Sequence, residues 1–432
     1  MKNRYLISAI LITAIATTNS FAQNAYTFEQ FKSEVLDYSQ QIKQSEAAQE
    51  AMRSAVKLSR SAFMPTIDAG GSYQYRINDY EVGLGSTIFA FNHDTYSADI
   101  GVVQPIYAGG QIRNAYETSK IESEMADRGV ELTVDNIILA TESAYWGAAA
   151  QKAMYETMCE YVETISQLEA TIKDKYEDGM VAKTELIQMQ SRRKEAEIQR
   201  SNSHLAYRIA LQNLNSLMGC DPLTDIELSD SIQIKMSAPE YCTPQEVLDR
   251  RPGYLISQLG VEYQKSQVKL AGAAYRPSLG IGFNESWGTK LLNLDGTTLF
   301  NSTIYASLKI PIFHGGAARH KKSVQSAILT AKESEMKDTE EQISKEIAAS
   351  WTELSENIAQ VDMAKENCTL AEENLELNTF SYNEGKLQIV DVLSAQVSWI
   401  QAYTNLIQIY HKQRIANAAY QKSIGSRYRE FE

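Results

Sequence analysis

The sequence predicts a chain of long antiparallel helical hairpins, all-α apart from two β-hairpins of membrane-spanning type. Three observations carry that expectation. The chain repeats itself at an offset of about 206 residues. Two proline-bounded windows alternate apolar with polar residues. The stretches that follow them, free of proline and with glycine only at Gly129 and Gly147 of the first copy, run too long for a compact globule.

The repeat is read from its landmarks. QPIYAGG (104–110) superposes on IPIFHGG (310–316), and YEDG (176–179) on YNEG (382–385). Pro105 thereby matches Pro311. Pro65 matches Pro277 at a separation of about 212, so the first copy carries about six extra residues between its prolines. Internal repetition decides the architecture and is therefore read first. It divides the chain into a first unit, 23–219, and a second, 247–432, joined by a linker, 220–246. The other four prolines, Pro222, Pro239, Pro244 and Pro252, cluster at that linker, which is expected to be irregular and to wrap the helical body.

Residues 1–22 read as a secretory signal. Lys2 and Arg4 form a basic start, residues 6–16 an apolar core, and Ser20-Phe21-Ala22 a small-x-small cleavage site. The mature chain is expected to begin near Gln23. The formal charge of −13 then becomes about −15 on loss of the two basic residues, −13 minus 2. That balance argues against a nucleic-acid partner, which needs a basic stripe. The mature chain has no run of 18 or more apolar residues, so no transmembrane helix is expected. Barrel strands are not excluded, because their signal is far weaker.

The first β-hairpin is placed at about 66–106. Ile67, Ala69, Gly71, Tyr73, Tyr75 and Ile77 alternate with Thr66, Asp68, Gly70, Ser72, Gln74 and Arg76. The return strand sets Tyr96, Ala98, Ile100 and Val102 against Thr95, Ser97 and Asp99. The second hairpin, at about 278–312, repeats this with Leu279, Ile281, Phe283 and Trp287, then Phe300, Ile304, Ala306, Leu308 and Ile310. A period of two marks a strand with one wet face. A soluble antiparallel sheet would alternate in the same way. Aromatic residues on the apolar face and export of the chain favour a bilayer. Each run has about the length that a tilted strand needs to cross one. Four strands are too few to close a barrel, and open edges do not survive in lipid. The barrel must therefore be shared, and three chains would supply twelve strands.

Helical hairpins are placed at about 107–218 and 315–425. No Gly or Pro occurs from Ala317 to Glu384, about 68 residues, which as one helix would span about 100 Å. Ile343, Ile347, Trp351, Leu354, Ile358 and Val361 step by four or three, as do Leu393, Val397, Ile400, Tyr403, Ile407 and Tyr410. Those steps approach the 3.5 period of a packed helical seam. Pro65 and Pro277 are expected to end a helix and start a strand. Pro105 and Pro311 precede Gly109-Gly110 and Gly315-Gly316, where the chain must turn sharply from strand into helix.

Together these features resemble the TolC-like outer-membrane efflux protein family. The likeness rests on QPIYAGG, on the paired YEDG and YNEG turns, and on EGKLQIVDVLSAQ (384–396), and it covers essentially the whole mature chain. The resemblance implies a homotrimer whose twelve-stranded β-barrel in the outer membrane continues as a twelve-helix α-barrel through the periplasm. It also implies docking to a periplasmic adaptor protein and an inner-membrane pump, with outer-membrane lipid around the barrel. A periplasmic gate would involve Asp391 and Tyr382, with Glu185 and Tyr176 as their first-copy counterparts. Three copies of Asp391 around an axis would attract cations. A helix-dipole role explains a first-turn acid equally well. A second acidic ring found in some members would fall on Ser394, a departure that lowers the charge of any ring. Gly179, Val181, Ala182, Gly385, Leu387 and Ile389 would form the adaptor surface.

Catalysis finds little support. The five His residues are dispersed, and no HExxH, CxxC, P-loop or nucleophile-elbow pattern is present. No catalytic residue, metal site or cofactor is expected. Cys159 and Cys368 fall in corresponding helices. Export permits a disulfide between Cys220 and Cys242, but four cysteines allow three pairings. The leading expectation is a passive exit duct of a tripartite efflux system. The alternatives are the exit duct of a type I protein-secretion system and an exported structural or adhesive coiled-coil protein.

Overall fold

The computed structural model describes residues 25–78, 81–85, 87–90, 93–289 and 298–425. The signal segment read at 1–22 lies outside these residues, as do parts of both hairpin turns and residues 426–432. In chain order the elements are β1 (Ala25–Tyr26), α1 (Phe28–Tyr38), α2 (Gln40–Ser61), β2 (Thr66–Tyr75), β3 (Glu81–Leu84), β4 (Thr87–Ala90), β5 (Asp94–Ala108), α3 (Gln111–Glu177) and α4 (Lys183–Met218). There follow β6 (Glu227–Leu228), α5 (Pro244–Val247), a 3-10 turn (Leu248–Arg250), α6 (Pro252–Ala273), β7 (Ser278–Thr289), β8 (Thr298–Lys309), α7 (Ala317–Asn383) and α8 (Ile389–Ser423). Among the described residues no helix is long and apolar enough to cross a membrane.

Helices α3 and α7 are each 67 residues long, and each is followed by a shorter partner. Their length follows from the absence of proline in both helices, with glycine only at Gly129 and Gly147 of α3, and from identical stops. At the end of α3, Met180 N–H donates to Lys175 C=O and Gly179 N–H to Tyr176 C=O. After α7, Lys386 N–H donates to Ser381 C=O and Gly385 N–H to Tyr382 C=O. This pair of bonds satisfies the last helical carbonyls and requires a left-handed residue. Gly179 (φ 74°) and Gly385 (φ 73°) supply it.

The chain divides into two compact units, each with its own core. One comprises Met1–Tyr38, Ala144–Ile234 and Ala364–His411. Its core holds Tyr161, Ile165 and Ile172 of α3, Met189 of α4, and Val392 and Ile400 of α8. β1 and β6 pair there in parallel. The other unit comprises Ser39–Ser143, Lys235–Met363 and Lys412–Glu432. Its core sets Ile343, Ile347, Leu354 and Ile358 of α7 against Ala416 and Tyr420 of α8, with Val247. These four α7 residues belong to the seam read from the 3.5 period. Outside β6 and α5 the linker is irregular. All four cysteines are free, so the Cys220–Cys242 bridge is not formed. The Cys242 N–H instead donates to the Tyr420 hydroxyl at 3.1 Å.

The second unit carries a four-stranded antiparallel sheet in the order β2-β5-β7-β8. Its register puts the alternating residues on common faces. Tyr73 lies opposite Tyr96, Val102 opposite Phe283, and Phe283 opposite Ile304, all on the apolar face. That face is open in the single chain, with Ile304 84% exposed. Glu285 interrupts it, opposite Ile100 and Ser302, and accepts a hydrogen bond from the Ser302 hydroxyl. On the other face Gly282 leaves room for the ring of Tyr305, since a Cβ there would lie 2.4 Å from that ring.

Pro105 precedes the Gly109-Gly110 turn from within β5, at a register shift between Pro105 and Tyr107, and the strand continues to Ala108. A bulge tolerates a residue with no N–H to donate. The turn into α3 is made by Gly109 and Gly110, and that into α7 by Gly315 and Gly316; all four have positive φ.

Candidate functional site at the hairpin tips

Both helical turns lie in the first unit, where they enclose a cavity of about 610 Å³ lined by Lys175, Glu185, Tyr382, Leu387 and Val390 among others. The site is built from the first turns of α4 and α8 and the last turns of α3 and α7. Tyr382 is 5% exposed, and its hydroxyl donates to a Glu185 carboxylate oxygen at 3.2 Å. Lys175 sits over the same ring, 4.5 Å from its centroid, and donates to Asn383 Oδ1 at 3.2 Å. Three helices thus converge on one phenol. Burial, and then the adjoining carboxylate, push the Tyr382 phenol up to about 12. The group is held neutral, as a donor to an anion.

The repeat is not obeyed here. Tyr176, at the position matching Tyr382, is 37% exposed, and its hydroxyl makes no hydrogen bond among the described residues. Asp391, matching Glu185, is exposed and accepts from the backbone N–H of Gln388 at 3.2 Å. That N–H precedes the helix, so Asp391 caps the start of α8 from its third position, as one half of a capping box does. Ser394 lies one turn on, exposed, beside a second cavity of about 430 Å³ that also touches Arg192 and Glu195.

The surface residues read from sequence are placed unevenly. Gly179, Ala182, Gly385 and Leu387 are exposed, and Val181 is half-buried against the core. Ile389 is a correction. It is 3% exposed and packs in the core, because its apolar side chain opens α8 on the inward face. The exposed apolar residues at the tips are Met180, Leu387 and Val390. Sequence reasoning missed Lys175 and Asn383. Their matched positions hold Ser381 and Glu177, so the repeat gave no signal for either.

The outer membrane efflux protein family matches residues 32–220 and 243–426. The chain belongs to that family. It is 22% identical over 398 residues to outer membrane protein TolC of Escherichia coli (strain K12), covering 88% of this chain and 76% of TolC. The CmeC outer membrane channel of Campylobacter jejuni superposes with a TM-score of 0.80 at 17% identity, over 92% of this chain and 85% of CmeC. The outer membrane protein VceC of Vibrio cholerae gives 0.78 at 16% identity, over 92% and 96%. These relatives are outer membrane proteins and channels, and no catalytic activity is indicated. Among the described residues no cluster of His, Cys, Asp or Glu is suited to a metal ion.

Proposed function

We propose that three copies of this chain close a twelve-stranded barrel in the outer membrane. The barrel continues into a periplasmic helical tunnel and serves as the passive exit duct of a tripartite efflux system. The observation that carries the reading is the sheet. It has four strands, its apolar face is exposed, and its edges β2 and β8 are unpaired among the described residues. In lipid each unpaired backbone group costs several kcal/mol, so the edges need partners. Closure of β8 on β2 of the next copy supplies them.

The helices support the same assembly. In the first unit Leu370 and Leu377 of α7 stand seven residues apart and are 58% and 59% exposed. Ile198 and Leu205 of α4 repeat that spacing and exposure. Spacing of seven is the signature of a helix seam awaiting a partner. The tips close the duct in this reading, with Asp391 facing the axis and Tyr382 bound to Glu185. The exposed residues Gly179, Met180, Ala182, Gly385, Leu387 and Val390 meet a periplasmic adaptor, which joins the duct to an inner-membrane pump.

The test is the mass of the detergent-solubilised protein together with its single-channel conductance in a planar bilayer. A trimer with small, cation-selective openings is expected. A monomer that does not partition into detergent overturns the barrel and favours an exported coiled-coil protein.

A further inference from the structure

A third cavity, of about 820 Å³, lies in the other unit, between the first turns of α3 and the second half of α6. Arg113, Lys265, Lys269 and Arg276 line it, against two acids, Glu117 and Glu262. All six are exposed, and none of the four cations forms an ion pair among the described residues. Glu117 already faces Lys120 at 3.8 Å. The chain carries a net charge of −13, so a local excess of two positive charges runs against its overall balance. Ser266, in its lining, is buried, and its hydroxyl oxygen lies 2.7 Å from that of buried Thr118.

Its position gives the cavity a meaning. It opens where β5 ends and β7 begins. Tyr107, in its wall, lies opposite Leu279 and so continues the apolar face that runs through Ile281, Phe283 and Val102. That face is the one the proposed barrel turns to lipid. Along it, an apolar stripe ends in a ring-bearing residue and then in unpaired cations, which is the order of groups in an amphiphile. β5 and β7 are the inner pair of the sheet, so closure through β2 and β8 does not call on this face. Gly109, at φ +63°, brings the junction tight against Arg276, whose Cβ would be 2.8 Å from a Cβ on that glycine.

We propose that this cavity binds the headgroup phosphate of an anionic glycerophospholipid whose acyl chains lie along the apolar stripe of β5 and β7. The site belongs to the leaflet on the helix side. Guanidinium groups pair with phosphate oxygens in a fixed fork, and lysines add point charge. Basic side chains next to a membrane attract anionic lipid in this way. The inference rests on the barrel reading above.

The test is mass spectrometry of the intact, detergent-released assembly with added phosphatidylglycerol, phosphatidylcholine of the same acyl chains, or inorganic phosphate. Phosphatidylglycerol is expected to be retained above phosphatidylcholine. Replacing Arg113, Lys265 and Lys269 by Gln is expected to reduce its retention at least about tenfold, as loss of three basic contacts predicts. Glu117→Gln with Glu262→Gln keeps the cations and is expected to raise it, which tests the site even if the first variant does not assemble. Equal retention of phosphatidylglycerol by the wild type and both variants overturns the proposal. So does inorganic phosphate that displaces the lipid at equal concentration, which marks a free-anion site. A wild-type chain that forms no detergent-dependent assembly defeats the barrel reading itself, a result distinct from either.

Discussion

The Tyr382 hydroxyl donates to the Glu185 carboxylate at 3.2 Å, and so ties the end of the second copy's long helix to the start of the first copy's return helix. The matched pair, Tyr176 and Asp391, is not made within the chain. Tyr176 is exposed, and Asp391 is engaged with the Gln388 N–H. One sequence motif therefore occupies two environments, and one of them is a latch. A hydrogen bond to a charged group contributes about 1.5–3 kcal/mol. Tyr382→Phe and Glu185→Gln should each loosen the tips, and together they should cost little more than either alone. Amide hydrogen exchange at 381–388 should quicken about tenfold in each single variant, the lower end of that range. Fully additive effects would show that the two residues do not act as a unit.

The same contact predicts an alkaline transition. The folded pKa of Tyr382 is raised to about 12, from an ordinary value near 10, by burial and by Glu185. A raised pKa means that the fold favours the protonated phenol. Its stabilising contribution is fully present below about pH 10 and is lost as pH rises through about 12. A tyrosinate would there confront the Glu185 carboxylate. The difference in tyrosinate absorbance between wild type and Tyr382→Phe should show one phenol titrating near 12. Glu185→Gln should bring that titration down, since it removes the second cause and leaves the first.

The long elements were legible because their periodicity is long. Six apolar residues from Ile343 to Val361 suffice to fix an inward face, and alternation from Thr66 to Tyr75 fixes a strand. Local geometry was not. Whether Pro105 ends β5 or sits in a bulge depends on its pairing with Gly280, which lies in another repeat. Ile389 looked like a tip residue because tips and inward faces lie one residue apart at a helix start. The basic cavity could not be read at all. Arg113 and Lys269 are far apart in the chain and share a site only because α3 packs on α6 through Thr118 and Ser266.

Glycines at the strand–helix turns separate two kinds of cost. Gly315 has φ +58°, and a Cβ there meets nothing within 4 Å. Gly315→Ala should therefore lose only the backbone term, about 1–2 kcal/mol. Gly109 has φ +63°, and its Cβ would also lie 2.6 Å from the Ala273 carbonyl oxygen. A backbone atom cannot swing away, so Gly109→Ala should lower the apparent melting temperature of the solubilised protein clearly more than Gly315→Ala. Equal shifts would mean that the junction gives way easily, and would remove the reason for a tight turn at Arg276.

Asp391 carries two separable properties, a charge and a hydrogen-bond acceptor. Its carboxylate takes the Gln388 N–H at 3.2 Å, so Asp391→Ala deletes the cap together with the charge, and a change in conductance in that variant is ambiguous. Asp391→Asn keeps an acceptor of the same length and removes only the charge. Loss of such a cap costs about 0.5–2 kcal/mol, enough to fray the first turn of α8 and widen the tips on its own. If three aspartates ring the axis, the Asn variant should shift the reversal potential in a salt gradient toward zero, with open-channel conductance nearly unchanged. If the residue serves only its helix, the Asn variant should match wild type in selectivity, and the Ala variant alone should open more often. Ser394, one turn on, offers the converse experiment. Ser394→Asp adds charge at an exposed site and should strengthen cation selectivity only when Asp391 faces the same axis.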